Sequence, residues 1–228
     1  MEFAKLLSLL KISFKDPKIL QQAFYHRSYL NEVKSDIKSN ERLEFLGDSV
    51  LSLCVSEFLY SQRSDDAEGD LTNLRAYIVK TNSLAKAAKK LNLGSYLRLS
   101  RGEELGGGRE NSQLLANTYE AMLGAIYVDQ GFPVIERVIK NTLLALFEKE
   151  LKVGPPKDAK SNLQEIAQDK FKQSPHYKLL GTKGPDHAKQ FMVAVYLKGK
   201  KYGQGFGESK QTAEEQAATE ALKTLTSS

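Results

Sequence analysis

The strongest constraint on the fold is a change of sequence pattern near residue 152. Before it, apolar residues recur at intervals close to 3.6 with few helix breakers, a spacing typical of helices. The segment 152–160 combines a glycine, two prolines and charged residues, and its centre cannot be helical. We therefore predict a helical domain at 1–151, a linker at 152–160 and a second domain at 161–228. The predicted helices of the first domain span residues 2–11, 17–31, 39–61, 68–91, 110–130 and 132–151.

The second domain combines helices and strands in its sequence pattern. Apolar and polar residues alternate at 190–197 and 200–207, which indicates two strands joined by a turn at 198–200. The chain closes with an Ala-rich helix. The predicted fold class is thus an all-α domain followed by a small α+β domain of order α-β-β-β-α. The predicted elements of this second domain are a helix at 161–172, strands at 177–182, 190–197 and 200–207, and a helix at 212–225.

Three carboxylates interrupt a largely apolar helix of the first domain. At about 100° per residue, Glu41, Glu44 and Asp48 fall within roughly a third of a turn of one another. Like charges this close repel, but a divalent cation would attract all three, and carboxylate oxygens are the ligands that Mg²⁺ prefers. A solvated acidic face is an equally good explanation of this spacing alone.

A second polar pair lies on a helix that is apolar on most sides. Residues 114–129 have almost no surface character, which indicates a buried helix, yet Asn117 and Glu120 share one face of it. A buried Glu must be paired, protonated or bound to metal. The two acidic helices could pack together and pool their oxygens around a metal ion. Alternatively, Asn117 and Glu120 could form a satisfied polar network.

These segments resemble the ribonuclease III family. The run Glu41-Arg-Leu-Glu-Phe-Leu-Gly-Asp48 is similar to its signature, as are His26-Arg-Ser-Tyr29 and Glu68-Gly-Asp70, and residues 115–127 resemble its second acidic helix. The motifs follow the family's order over nearly the whole chain. The resemblance implies an Mg²⁺-dependent endoribonuclease, with Mn²⁺ as a substitute, that cleaves double-stranded RNA by metal-activated water. It also implies 5′-phosphate products with short 3′ overhangs, a homodimer, and processing of ribosomal RNA precursors, messenger RNA and other structured RNAs.

The resemblance also implies roles for individual positions in these motifs. Glu44, Asp48 and Glu120 correspond to catalytic residues that bind the metal. Asn117 corresponds to a further metal ligand, where Asp is the commoner residue in the family. Asn keeps one carbonyl oxygen as a ligand but lacks the negative charge, so we expect weaker metal binding and not its loss. The auxiliary acids near the cleavage site correspond to Glu41 and Glu68.

The second domain resembles a double-stranded-RNA-binding domain. In that family three places touch RNA: the first helix, the loop between the first two strands, and the N-terminus of the last helix. A lysine at a helix N-terminus suits a phosphate, and the helix and loop can straddle two minor grooves. Gln211 departs from the usual second basic residue, so one phosphate contact is expected to be weaker. The corresponding RNA-binding residues are Gln164, Glu165, His187 in the loop 184–187, Lys210 and Gln211.

Most of the net charge of +5 lies in the second domain. Residues 157–228 hold twelve lysines and eight acidic residues, net +4, whereas the remainder holds 21 basic and 20 acidic residues, net +1. A small basic domain is typical of proteins that bind a polyanion. The division of charge therefore favours RNA as the partner of the second domain.

Other classes of function find little support in the sequence. No run of eighteen apolar residues predicts a membrane span, and the glycine-rich stretch 102–108, a predicted loop, lacks the Lys-Ser/Thr of a nucleotide-binding loop. Cys54 lies in an apolar run and is predicted to be a core residue. His26 is predicted to cap or brace the helix that carries Glu44. We expect a cytoplasmic protein without membrane association or nucleotide cofactor.

One competing function stays open at this point. The neutral Asn117 weakens the predicted metal site, so the chain could bind RNA duplexes while cutting them poorly. A test for cleavage of a long RNA duplex distinguishes this binding module from the endonuclease.

Overall fold

The computed structural model describes residues 3–33, 37–156, 158–185 and 189–226, and its packing divides the chain into two units, Met1–Pro155 and Pro156–Ser228. The described residues of the first unit form helices and short 3₁₀ turns, whereas the second contains a sheet. The predicted fold class is confirmed. The helices of the first unit are α1 (Ala4–Leu10), α2 (Pro17–Gln22), α3 (Arg27–Leu30), α4 (Glu41–Gln62), α5 (Glu68–Val79), α6 (Thr81–Lys90), α7 (Arg101–Leu105), α8 (Ser112–Gln130), α9 (Phe132–Thr142) and α10 (Glu148–Val153).

The predicted helix at 17–31 is two helices in the structure. α2 ends at Gln22, and Tyr25 instead forms an isolated parallel bridge with Arg98. The backbone N–H of Arg98 donates to the Phe24 oxygen at 2.9 Å, and the N–H of His26 donates to the Arg98 oxygen at 3.1 Å. A hydrogen-bond partner more than 70 residues away in sequence therefore interrupts the helix, and helical periodicity cannot reveal such a partner.

Two more predicted helices are interrupted. The predicted helix at 68–91 breaks at Lys80, whose φ of −66° and ψ of 152° are extended, and continues as α6. The predicted helix at 132–151 ends as α9 and resumes as α10 after a 3₁₀ turn at Leu144–Leu146. Apolar spacing persists across both breaks because residues on either side pack into the same core.

The glycine-rich stretch 102–108 was predicted wrongly as a loop throughout. α7 covers its first half, because the hydroxyl of Ser100 accepts a hydrogen bond from the Glu103 backbone N–H at 3.2 Å and so caps the helix. Two acidic residues in the first turn also suit the positive end of a helix dipole. A 3₁₀ turn at Gly108–Glu110 follows.

α4 and α8 cross in close contact, and two glycines allow their approach. A Cβ atom at Gly47 would collide with the backbone oxygen of Glu120, and a Cβ atom at Gly124 would collide with that of Leu43. Side chains are therefore excluded at this crossing. At this contact, the turn of α4 that carries Glu44 and Asp48 packs directly against the turn of α8 that ends at Glu120.

The core of the first unit surrounds this helix pair. Tyr119 of α8 is fully buried, and its hydroxyl shares a 2.7 Å hydrogen bond with the hydroxyl of Thr142. Cys54 is buried on α4, as predicted. Asp129, at the end of α8, accepts hydrogen bonds of 2.9 Å from the backbone N–H groups of Lys15 and Asp16. It thereby attaches the start of α2 to α8.

The second unit is a three-stranded antiparallel sheet packed against helices. Its strands lie in the order β1 (His176–Lys183), β2 (Gln190–Leu197) and β3 (Lys200–Gly207). β3 packs tightly against the last helix, since a Cβ atom at Gly203 or Gly205 would collide with backbone atoms of that helix. Val195, Leu197 and Leu163 are buried in the core beneath them. The helices before and after the sheet in the sequence are α11 (Ala159–Phe171) and α12 (Lys210–Thr226).

The outer edge of β3 is covered by side chains of α12. The Gln204 backbone N–H donates to the carboxylate of Glu220 at 2.7 Å, and the Phe206 N–H donates to the side-chain oxygen of Gln216. An open edge strand is a template for pairing with another chain, so these bonds protect this one. In the ranges that the structure describes, no helix is both long and apolar enough to cross a membrane.

Candidate active site

A cavity of about 640 Å³ lies beside the crossing of α4 and α8. Glu41, Glu44 and Asp48 line it from α4, and Asn117 and Glu120 line it from α8. The tertiary structure thus brings together predicted residues that stand about 70 positions apart in the sequence. The cavity is completed by His26, Arg27, Asn40, Phe45, Gln113, Leu114 and Thr118.

The carboxylates of the cavity disfavour one another's ionisation. Burial, followed by the charges of Asp48 and Glu44, raises the pKa of Glu120 to about 7. Burial, followed by the charges of Glu41 and Asp48, also raises the pKa of Glu44. None of Glu44, Asp48 and Glu120 forms an ion pair with a basic side chain in the described part of the chain. These three carboxylates therefore repel one another without a basic partner that would offset their charge.

The chemistry of this donor set fits a hard divalent cation. Carboxylate and amide oxygens are the ligands that Mg²⁺ and Mn²⁺ prefer. A cation would favour the charged carboxylates and so oppose both the burial and the repulsion that raise the two pKa values. In their present positions, however, no three His, Cys, Asp or Glu side chains among the described residues form a group that could hold a metal ion. Side-chain rotation of the acids would have to accompany metal binding.

Asn117 has a partner that sequence reasoning missed. The Nε2 group of Gln113 donates a 2.7 Å hydrogen bond to the Oδ1 atom of Asn117. The two residues are four apart on α8, a spacing at which helical side chains meet, so an i, i+4 search for polar pairs would have found them. Gly47 and Gly124 were also missed as the residues that position the acids, although both lie inside the recognised motifs.

The start of α4 is anchored by Asn40. Its side chain is buried and donates to the Ala23 backbone oxygen at 3.2 Å, while its backbone N–H donates to the Tyr25 oxygen at 2.9 Å. Beside it, Glu41 accepts a 2.8 Å hydrogen bond from the hydroxyl of Ser39 and lies 3.6 Å from the exposed guanidinium of Arg27. These contacts hold the first acid at the mouth of the cavity.

His26 lines the cavity, but it does not cap the helix that carries Glu44, so the predicted cap was wrong. The alternative, that His26 braces this helix, stays a prediction. The Nδ1 atom of His26 lies 2.8 Å from the Ser28 hydroxyl. The same atom caps α3 instead, because it accepts from the Ser28 backbone N–H at 3.3 Å. The reason is the break after α2, which gives α3 an N-terminus of its own. The Ser28 hydroxyl in turn accepts from the Ser100 N–H at 3.0 Å.

Glu68 lies away from the acids with which it was grouped. It begins α5, is exposed, and accepts a 2.9 Å hydrogen bond from the hydroxyl of Thr72. It is not among the described residues that line the cavity. Within a single chain, the structure therefore does not bring Glu68 to the site.

The predicted RNA-binding residues of the second unit lie on exposed surface where the structure describes them. Gln164 of α11 and Gln211 of α12 line one groove, together with Lys160, Ser161 and Thr212. Three further residues were predicted to bind RNA. Glu165 is exposed on α11, Lys210 is exposed as the first residue of α12, and His187 lies outside the described residues.

Comparison with known proteins identifies similar sequences for both units. The ribonuclease-III-like family matches residues 16–146, and the double-stranded RNA binding motif matches residues 159–225. A protein of Treponema denticola named Ribonuclease 3 is 42% identical over 100% of this chain and 91% of its own length. Another Ribonuclease 3, from Caldanaerobacter subterraneus subsp. tengcongensis, is 44% identical over 93% of each chain.

A solved structure shares the fold of the first unit. The nuclease domain of ribonuclease III from Campylobacter jejuni, described as flexible in the region involved in dimer formation, is 41% identical to this chain. The match has a TM-score of 0.58 and covers 64% of this chain and 96% of that domain.

Proposed function

The chain belongs to the ribonuclease III family, and from this premise we propose that it is an endoribonuclease that cleaves double-stranded RNA with the help of a divalent cation. The proposed products carry 5′-phosphates and short 3′ overhangs. The observation that carries the proposal is the cavity in which α4 and α8 gather three unpaired carboxylates and one amide oxygen.

Four side chains would hold the cation, either Mg²⁺ or Mn²⁺. They are Glu44 and Asp48 from α4 and Asn117 and Glu120 from α8. When bound, the ion supplies positive charge to the scissile phosphate and activates water as the nucleophile. The carboxylates orient the ion, and Glu120 must give up the proton that its raised pKa favours. Glu41, at the mouth of the cavity, is proposed as an auxiliary acid. Glu68 is proposed as another only in the homodimer, because a single chain does not bring it to the cavity.

The second unit is proposed to supply most of the affinity for the duplex. The acids of the first unit repel phosphates, so an attractive surface elsewhere is needed. Gln164 and Glu165 would meet the minor groove, whose 2′-hydroxyls distinguish RNA from DNA. Gln211 would make a weaker phosphate contact beside Lys210. Lys210 would bind phosphate at the N-terminus of α12. His187 is proposed as a further minor-groove contact because of its position in the sequence.

We propose that the protein is a homodimer in which each subunit cuts one strand. The exposed face of α4 supports this, because Phe45, Leu53 and Tyr60 are 77%, 57% and 78% exposed there. Their spacing places these three large apolar side chains within about a quarter of a turn. Three large apolar side chains exposed on one face of a helix suit an interaction site between protein chains.

The proposed cellular substrates are duplex segments of ribosomal RNA precursors, messenger RNAs and other structured transcripts. Shape recognition of A-form RNA shows little preference for sequence, so one enzyme can act on many such duplexes. The similar proteins are from bacteria, whose transcripts are made in the cytoplasm, and we place the protein there.

A cleavage assay tests the proposal. The full chain is incubated with a long RNA duplex and Mg²⁺, Mn²⁺ or a chelator, and the products are sized and their ends analysed. We expect short 5′-phosphorylated duplexes only when a metal is present. Glu120→Gln should still bind the duplex but lose cleavage, whereas Glu136→Gln, an exposed site on α9, should cut like the parent.

The competing function is a binding module that holds RNA duplexes without cutting them. It is favoured by one observation, the neutral Asn117 in the place of an acid. Absence of cleavage with either metal, at protein concentrations that saturate duplex binding, would establish this alternative and refute the endonuclease.

A further inference from the structure

Gln113 is a cavity residue that the family motifs leave without a role. It lies in the first turn of α8, and its side chain donates the 2.7 Å hydrogen bond to Oδ1 of Asn117. Its backbone is held as well. The side-chain oxygen of Asn111 caps the helix by accepting from the backbone N–H groups of Gln113 and Leu114, at 2.9 and 3.2 Å. The backbone of the residue that carries the donor is therefore fixed at the start of the helix.

The hydrogen bond from Gln113 fixes the orientation of the Asn117 amide, with its oxygen toward Gln113. An amide carries an accepting oxygen and a donating NH₂ group of nearly equal size. The carboxylates of Glu44, Asp48 and Glu120 line the same cavity and attract the NH₂ group. A cation requires the oxygen. Without a further restraint, the acids would favour the orientation of Asn117 that cannot bind metal.

Gln113 supplies that restraint. Turning the Asn117 amide from its observed orientation would bring two NH₂ groups together, unless Gln113 also turned. The oxygen of Asn117 has two lone pairs, so it can accept from Gln113 and still offer one to a cation. An aspartate at position 117 would need no such restraint, because its two oxygens are equivalent.

We propose that Gln113 is a positioning residue that keeps the oxygen of the Asn117 amide available as a metal ligand. The inference rests on the proposed function, because it requires that a divalent cation binds in the cavity. The role proposed for Gln113 applies only to a neutral amide at position 117, because an aspartate has two equivalent oxygens. Gln113 and Asn117 therefore act as a pair, and replacing Asn117 by Asp should remove the need for Gln113.

Mn²⁺ binding to the metal-free full chain, measured by titration calorimetry, tests this pair. Gln113→Met keeps the length and helix propensity of the side chain but removes the donor. We expect it to raise the Kd for Mn²⁺ about tenfold, as lost outer partners of metal ligands do. In the Asn117→Asp background the same change should leave the Kd nearly unaltered. Gln168→Met, at an exposed position of α11, is the matched control and should bind like the parent.

The possible results distinguish a failure of the role proposed for Gln113 from a failure of the proposed metal site. Equal Kd values for the parent and Gln113→Met would overturn the role of Gln113 while leaving the metal site in place. The same loss of affinity in both backgrounds would also overturn it, since Gln113 would then act independently of the Asn117 amide. A parent that binds no Mn²⁺ would refute the metal site of the proposed function, and the positioning role with it.

Discussion

At the scale of single residues, the neutral Asn117 reduces the negative charge available to a cation. We expect Asn117→Asp to lower the Mg²⁺ concentration for half-maximal cleavage by about threefold to tenfold, because the charge of the ligands tunes the affinity of such sites. Added repulsion from Glu120 opposes this, but the cation outweighs it. A Mg²⁺ titration of cleavage at fixed RNA gives the measurement. Asn141→Asp, at an exposed position of α9, serves as the control.

An unchanged or higher Mg²⁺ requirement would show that Asn117 does not bind the ion. Asn117→Asp and Asn141→Asp each add one negative charge to the chain. Only the charge at position 117 lies in the cavity with the acids, so the comparison isolates the effect of that location.

A second residue-scale prediction concerns Asp129 and pH. Burial opposes its ionisation, but the backbone N–H groups of Lys15 and Asp16, the Gln130 side chain and the Lys15 charge together hold its pKa below 3.8. Asp129→Asn should lower the free energy of unfolding at pH 7 by about 1–3 kcal/mol, the cost of a lost buried partner. The stabilisation by the carboxylate is present above its unfolded pKa and is lost as pH falls through the lower folded value.

Urea unfolding of parent and variant at several pH values provides the check. The difference in free energy of unfolding between the parent and Asp129→Asn should be constant near neutrality. It should shrink in strong acid, below the ordinary aspartate pKa of 3.8. A difference that stays the same into strong acid would mean that the charge of Asp129 contributes nothing.

At the scale of elements, the crossing of α4 and α8 depends on the absence of two side chains. Gly124→Ala should destabilise the protein by about 1–3 kcal/mol or more, the range for overpacked cores, because the obstacle is backbone and cannot move aside. It should also reduce cleavage by separating the acids. Gly102→Ala in α7, where a Cβ atom would meet open space, is the control and should preserve both properties.

Urea unfolding followed by circular dichroism, together with the cleavage assay, measures these effects. If Gly124→Ala were as stable and active as Gly102→Ala, the close approach of the two helices could not be what positions the acids.

At the scale of the whole molecule, each unit has a buried core of its own, so each is expected to fold without the other. Deleting residues 157–228 should leave a helical dimer that still cuts duplex RNA but binds it more weakly. Because the deleted residues carry a charge of +4, fewer counterions are released on binding. The fall of log affinity with log salt should therefore become shallower.

Circular dichroism, sedimentation and duplex-binding titrations at several salt concentrations test this division of labour, with a DNA duplex as the comparison ligand. The full chain should prefer RNA. Loss of helical signal or of the dimer on truncation would show that the second unit has a structural role in the first.

Much of this molecule follows from local sequence. The 3.6-residue spacing predicts the helical first unit, alternation predicts the strands after residue 160, and the motifs around Glu44 and Glu120 identify the acids. These features are readable because each depends on residues within a few turns or one strand. Cys54 is another example, since an apolar run was enough to predict its burial.

Tertiary structure decided the features that depend on distant partners. Tyr25 leaves its helix because Arg98 offers a backbone hydrogen bond, and Glu68 stays apart from the acids with which its motif associates it. The acids of α4 meet Glu120 because Gly47 and Gly124 let two backbones touch. Periodicity records which face of a helix is apolar, but it does not record which other helix covers that face or how closely. The distances that make a cavity from separate motifs therefore exist only in the folded chain.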